Sequence, residues 1–268
     1  MKDRDDKINT AWTPPQVDVK KIKTGDMPGD KIQIKDSHFI RANAIFPYLL
    51  EDLKSLKGQR LVISVYGGSG VGKSEIGSIL GHYCELAGFG AYVLSGDNYP
   101  LRIPEENDRE RQRVFRRGGR EALKDYLGGL QEIDFAQINQ ILDFLKRGAL
   151  SIGLKRMGRT TDDISYELVD FSKVSILIIE WTHGNNPLLK GVDFPIFLYS
   201  TPEQTMAHRI SRGRDKGIDS PFVKTVLDIE QEKLSSQAES SRLIVGKDGE
   251  ILSYNEFLKL EKNEYESQ

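Results

Sequence analysis

From Leu61 to Tyr66 the chain is apolar without alternation, and similar short runs recur at Ala91 to Leu94, Val174 to Ile179, Pro195 to Tyr199 and Leu243 to Val245. Such runs predict strands of a parallel sheet covered on both faces. Between them the period changes to a helical one. Ile45, Leu49, Leu50 and Leu53 form a stripe that begins after His38 and ends near Lys57-Gly58. In "IDFAQI", Asp134 can cap a helix with Gln137 three residues on, and Ile133 and Ile138 are placed as a hydrophobic staple. In "TPEQ", Thr201 caps, Pro202 takes the first helical position and Gln204 completes a capping box. The alternation of strands and helices predicts an α/β fold, a doubly wound and mainly parallel sheet that presents ligands at the carboxyl edge of its strands. "SIGLKRM" and "DISYELV", within Ser151 to Val169, read as an inserted β-hairpin, either decoration or a substrate flap.

Residues 1–37 are polar, rich in Lys and Asp and broken by Pro14-Pro15 and Pro28-Gly29, so they are expected to form an extension without a packed core. Residues 38–268 then make one domain, with a core at about 60–249 and a final helix at about 254–263. Lys and Arg number 38 against 40 Asp and Glu, so no overall field draws the chain to nucleic acid or to an anionic membrane. No uncharged apolar run approaches the length of a membrane span. The single cysteine, Cys84, falls in a predicted helix as a small buried residue, which suits a cytoplasmic protein.

"RLVISVYGGSGVGKSEIGSIL" changes the picture, because Gly67, Gly72, Lys73 and Ser74 fit G-x-x-x-x-G-K-[ST] between a strand and a helix. Backbone N–H groups from Gly67, Gly68, Ser69, Gly70, Val71 and Gly72 can cradle phosphates, Lys73 can reach the β and γ oxygens, and Ser74 can ligate Mg²⁺. Glu180 ends the strand of "VSILIIEWTHG" at the sheet edge where a carboxylate would approach the metal's water shell, although a strand-end Glu can also be structural. His183 just beyond is either a structural histidine or a substrate contact. In "TMAHRISRGRDKG", Arg209, Arg212 and Arg214 read as lid arginines that neutralise a transferring phosphoryl group, against the alternative of a solvated helix end.

"LSGDNYPLRIPEENDRERQRVFRRGG" raises a sharper question. Asp97 has ordinary turn neighbours, but it follows the second core strand and so lies at the phosphate edge, a position that favours a general base. Arg109, Arg111 and Arg113 have acids three or four residues behind them and are explained by helix ion pairs. Arg102, Arg116, Arg117 and Arg120 lack such partners and are the candidates for gripping substrate, with Tyr99 and His183 beside them.

These motifs together resemble the uridine kinase and phosphoribulokinase group of P-loop kinases. "YGGSGVGKS", "LSGDNYPLRIP", "YLGGLQEIDF", "IIEWTHG" and "LIVGKDG" look like the sucrose-kinase domain of bifunctional α-galactosidase/sucrose kinases, over about Arg60 to Gly249. The resemblance implies ATP- and Mg²⁺-dependent phosphorylation of a small-molecule hydroxyl, a sugar such as sucrose being favoured. It also implies Asp97 as base, Arg212 and Arg214 in the lid, and an adenine pocket near Val245 and Gly246, where a plain edge hairpin would look alike. A nucleoside or adenylylsulfate kinase, with Tyr99 or Trp181 stacking on a base, is one competitor. A protein-directed kinase or nucleotide switch is the other, and the lid arginines and the lack of an N-K-x-D motif speak against it.

Overall fold

The computed structural model describes residues 12–55, 58–212 and 220–266. Its eight strands are β1 (Leu61–Gly67), β2 (Ala91–Ser95), β3 (Ser151–Arg156), β4 (Ser165–Asp170), β5 (Ile176–Glu180), β6 (Phe194–Leu198), β7 (Leu243–Val245) and β8 (Ile251–Leu252). Seven α-helices accompany them: α1 (Asp36–Lys54), α2 (Lys73–Leu86), α3 (Pro104–Tyr126), α4 (Phe135–Lys146), α5 (Pro202–Arg212), α6 (Pro221–Gln237) and α7 (Tyr254–Glu266). The main sheet runs β2-β5-β1-β6-β7-β8, parallel except for β8, and β3 and β4 form a separate antiparallel hairpin. The doubly wound sheet and the inserted hairpin expected from the pattern are both present. Only β8, two residues long, has no counterpart in the predicted strands.

The strands are apolar on both faces because neighbouring residues enter different cores. Ile176 and Ile178 of β5 pack with Ile45, Phe46, Leu49, Ile76 and Leu80 of α1 and α2. Leu177 and Ile179 pack with Phe135, Ile138, Ile141 and Leu142 of α4. Each such side chain contributes about 1.5–3 kcal/mol on burial, so a strand covered on both sides cannot slip by one residue without losing both sets of contacts. The helix starts follow the sequence signals. Asp134 accepts from the Gln137 amide at 2.9 Å, and Thr201 and Gln204 exchange their reciprocal capping bonds.

The segment before α1 departs from expectation. Trp12 packs on Phe46 and Tyr83 with ring centroids 4.4 and 5.4 Å away, and Ile22 is buried among the residues of α1 and α2. A few well-spaced apolar side chains among the lysines and aspartates suffice to seat it, because they enter a core built by the rest of the chain. Among the described residues no helix is long and apolar enough to cross a membrane.

Candidate active site

Register brings the site together. Glu180, the last residue of β5, pairs with Val65 of β1 on one side and with Ser95 of β2 on the other. The phosphate loop begins two residues beyond Val65, and Asp97 lies two residues beyond Ser95. Three chemical elements far apart in sequence therefore meet at one carboxyl edge, the position that an open α/β sheet reserves for ligands.

The loop from Gly67 to Gly72 turns into α2 with Lys73 at the first helical position. Gly70 has φ 78°, and a Cβ there would lie 2.6 Å from the Arg209 side chain, so both conformation and space demand glycine. Lys73 Nζ donates to the carbonyls of Gly67 at 3.1 Å and Gly68 at 2.9 Å. Ser74 Oγ donates to Glu180 Oε2 at 2.9 Å, joining the two residues that would share the metal's surroundings. Burial, with the nearby Asp97 charge adding to it, raises the Glu180 carboxyl above its ordinary range, while Lys73 and the hydrogen bonds from Ser95 and Ser74 act the other way.

Arg209 is buried over the loop. Its Nη2 donates to the Pro202 carbonyl at 3.1 Å, whereas Nε and Nη1 have no hydrogen-bond partner among the described residues. A guanidinium with two orphaned buried donors beside a glycine loop fits an anionic nucleotide tail, and the Ser74–Glu180 pair fits the hard cation that accompanies it. Gly68, Ser69, Ser200, Thr205, Glu230 and Gln231 line a cleft alongside. Arg212 is described only as the last residue of α5, and Arg214 lies outside the described residues.

Asp97 is exposed in a single turn of 3₁₀-helix, Gly96–Asn98, that follows β2 directly. Gly96 abuts Trp181: a Cβ there would fall 2.0 Å from the indole, so the turn approaches the end of β5 as only a glycine allows. His183 is partly buried and meets Trp181 edge-on at 5.1 Å. Burial pushes it down to about 4, against the opposing charge of Glu132, so it is neutral near pH 7. The Asp97 charge reaches it too.

The other predicted contacts are placed differently from one another, and some require correction. Tyr99, just after the Gly96–Asn98 turn, and Trp181, just after β5, are both buried in the α4-side core, so neither offers a face to a base. Arg102 is occupied by the fold: its Nη1 donates to the Gln131 carbonyl at 2.8 Å and to the Tyr126 hydroxyl at 3.2 Å. Arg120 has an acidic partner after all, Glu232 on α6, which lies 112 residues away and is invisible to a search of the same helix. Arg116 and Arg117 stay exposed on α3. Val245 is fully buried, with its carbonyl accepting from Tyr199 N and Arg41, and Gly246 closes the edge hairpin by donating to the Glu250 carbonyl at 2.9 Å. The expected helix ion pairs of Arg109 and Arg113 are formed, but Arg111 serves chiefly Glu132, at 2.6 Å.

Three residues escaped the sequence reading. Arg41 of α1 is buried and donates to the carbonyls of Val71 at 2.8 Å, Tyr199 at 3.1 Å and Val245 at 3.2 Å, tying the phosphate loop to β6 and β7. Burial lowers it to about 10, which leaves it charged at neutral pH. Glu132 is fully buried beside His183 and accepts from Arg111, Asn107 and the Gly128 amide. Burial alone would raise its carboxyl, but the Arg111 charge and these hydrogen bonds hold it below its usual range. Asp26, from the segment before α1, accepts from Ser95 N and Asn98 at either side of Asp97. An acid in a polar stretch gave no signal for any such contact.

No protein-family model matches the chain. It is 49% identical over 192 residues to the bifunctional alpha-galactosidase/sucrose kinase AgaSK of Mediterraneibacter gnavus, a match that takes in 72% of this chain and 20% of that protein. The chain thus spans about one fifth of the length of that relative. A solved phosphoribulokinase from Rhodobacter spheroides superposes with a TM-score of 0.53 at 14% identity, covering 70% of each chain. A structure described as a "possible uridine kinase" from Bacillus stearothermophilus superposes with a TM-score of 0.51 at 19% identity, covering 76% of this chain and 96% of that one. The fold is that of the P-loop kinases, and the resemblance carried by the motifs is borne out.

Proposed function

We propose that this chain is an ATP- and Mg²⁺-dependent kinase that phosphorylates a hydroxyl of a small molecule, most naturally a sugar such as sucrose. The observation that carries the reading is the meeting of Lys73, the Ser74–Glu180 pair and Asp97 at one strand edge. ATP would supply the γ-phosphoryl group and leave as ADP, and a bound Mg²⁺ would supply positive charge to offset that of the phosphates. The loop from Gly67 to Gly72 offers backbone N–H groups to the phosphates, Lys73 exchanges its carbonyl partners for phosphate oxygens, and Ser74 and Glu180 hold the metal side. Arg209, with Arg212 and Arg214 following it in sequence, supplies positive charge for the transferring group. Asp97 accepts the acceptor hydroxyl's proton as that oxygen attacks, and neutral His183 can donate to or accept from another hydroxyl.

The sugar is favoured over a nucleoside by two observations. The relative of known name carries a sucrose kinase, and the two aromatic rings that could have stacked on a base are committed to the core. Asp97→Asn should lower kcat by a factor of about 10²–10⁴, the worth of a general base, while ATP binding is retained. Turnover of that variant at the wild-type rate removes Asp97 from the mechanism.

A further inference from the structure

Asp97 is exposed, so no packing around its own side chain fixes it. Its backbone is held by the packing of Gly96 on Trp181 and, in addition, from outside the sheet and its helices. The segment before α1 runs along the site's edge: a Cβ on Gly25 would lie 3.4 Å from Val93 Cγ1 and 3.9 Å from Glu180 Oε1. The next side chain, Asp26, turns in. Its Oδ1 accepts from the Ser95 amide at 2.7 Å and from Asn98 Nδ2 at 3.1 Å. Its Oδ2 accepts from the Tyr92 hydroxyl at 3.1 Å and from Arg156 Nη1 at 2.7 Å. A single oxygen therefore holds both residues that bracket the Gly96-Asp97 pair, and the other oxygen ties the same point to the β3–β4 hairpin. Asn98 completes the link by accepting from the Met157 amide at 2.9 Å, while Arg156 also reaches Glu167 across the hairpin at 2.8 Å. Four donors on one buried carboxylate use its whole accepting capacity, and charge-assisted bonds of this kind are stronger and more directional than neutral ones.

We infer that Asp26 is a positioning residue for the phosphoryl-transfer reaction: it sets the Ser95–Asn98 turn so that Asp97 meets the acceptor hydroxyl, and it makes the segment before α1 and the hairpin working parts of the site. This inference rests on Asp97 being the base. Misplacing a reacting group by about an ångström can cost on the order of a hundredfold in rate without weakening the binding of the other substrate.

The test uses full-length Asp26→Ala, Asp26→Asn and Asp97→Asn proteins, with ATP and sucrose as substrates, kcat expressed per folded molecule, and hydrogen exchange followed at the Ser95 amide. Asp26→Ala should lower kcat by about 10- to 100-fold, leave KM for ATP within about twofold, and speed exchange at Ser95. Asp26→Asn keeps Oδ1 as acceptor for the turn and should recover most of the lost kcat. If Asp26→Ala does not fold, Asn98→Ala removes the link from the turn side and must show the same selective loss of kcat. Wild-type kcat in Asp26→Ala or Asn98→Ala, beside an inactive Asp97→Asn, overturns the positioning role. An active Asp97→Asn overturns the base assignment itself, and the positioning role with it.

Discussion

Lys73 and Glu180 show how much a single residue's neighbours decide. Lys73 is satisfied by two loop carbonyls, so removing it leaves the loop with unpaired acceptors that water can reach. Lys73→Ala should therefore fold normally and lose ATP-dependent turnover by about 10²-fold or more, checked by melting temperature and by ADP release. Glu180 carries a proton more readily in the folded chain than its ordinary value of 4.5 allows. The folded state then binds more protons than the unfolded state as pH climbs from about 4.5 through the raised value, so this group costs stability increasingly across that window. Glu180→Gln, neutral at every pH, should melt above the wild type at about pH 8.5 without nucleotide or metal, with the gap shrinking toward pH 5. A gap that widens toward pH 5 contradicts the assignment of the shift. The placement of the loop residues, Glu180 and Asp97 at one strand edge was readable because each is announced by its own flanking residues. Arg120 was misread because its acid, Glu232, sits on another helix, and Tyr99 because nothing local says which way a ring turns after a strand.

At the scale of elements, α1 acts as a brace for the carboxyl edge of the sheet. Its apolar stripe was evident from the period, but Arg41, four residues before Ile45 on the same face, reads by its charge as a surface residue until β6 and β7 are in place. Replacing Arg41 by Met leaves three carbonyls without their charged donor and should cost about 3 kcal/mol. Urea denaturation checks it, and a cost below about 1 kcal/mol contradicts the brace. Helix α3 carries a kink of its own: Gly119 has φ 66°, with open space around it. Gly119→Ala meets no clash, yet must adopt φ 66° with ψ −156°, a region essentially reserved for glycine, so it should destabilise by about 1–3 kcal/mol. The kink was illegible because glycine in a helical run signals several things at once.

Across the molecule, the doubly wound sheet followed from apolar runs alternating with helical segments, since each strand needs two covered faces, whereas the strand order β2-β5-β1-β6-β7-β8 appears only in the structure. The segment before α1 did not follow, because composition averages away the few residues that matter. Trp12 and Ile22 join the core formed by α1 and α2. Ile22→Ala should cost about 2–3 kcal/mol, whereas an unpacked extension would show almost no change. The site's ability to move a phosphoryl group to a sugar is the claim on which the rest depends. Incubating the protein with ATP and Mg²⁺ against sucrose, other sugars, nucleosides and adenylylsulfate tests it most directly: the account predicts ADP formation coupled to a phosphorylated sugar, and turnover of a nucleoside or adenylylsulfate with no sugar turnover contradicts it.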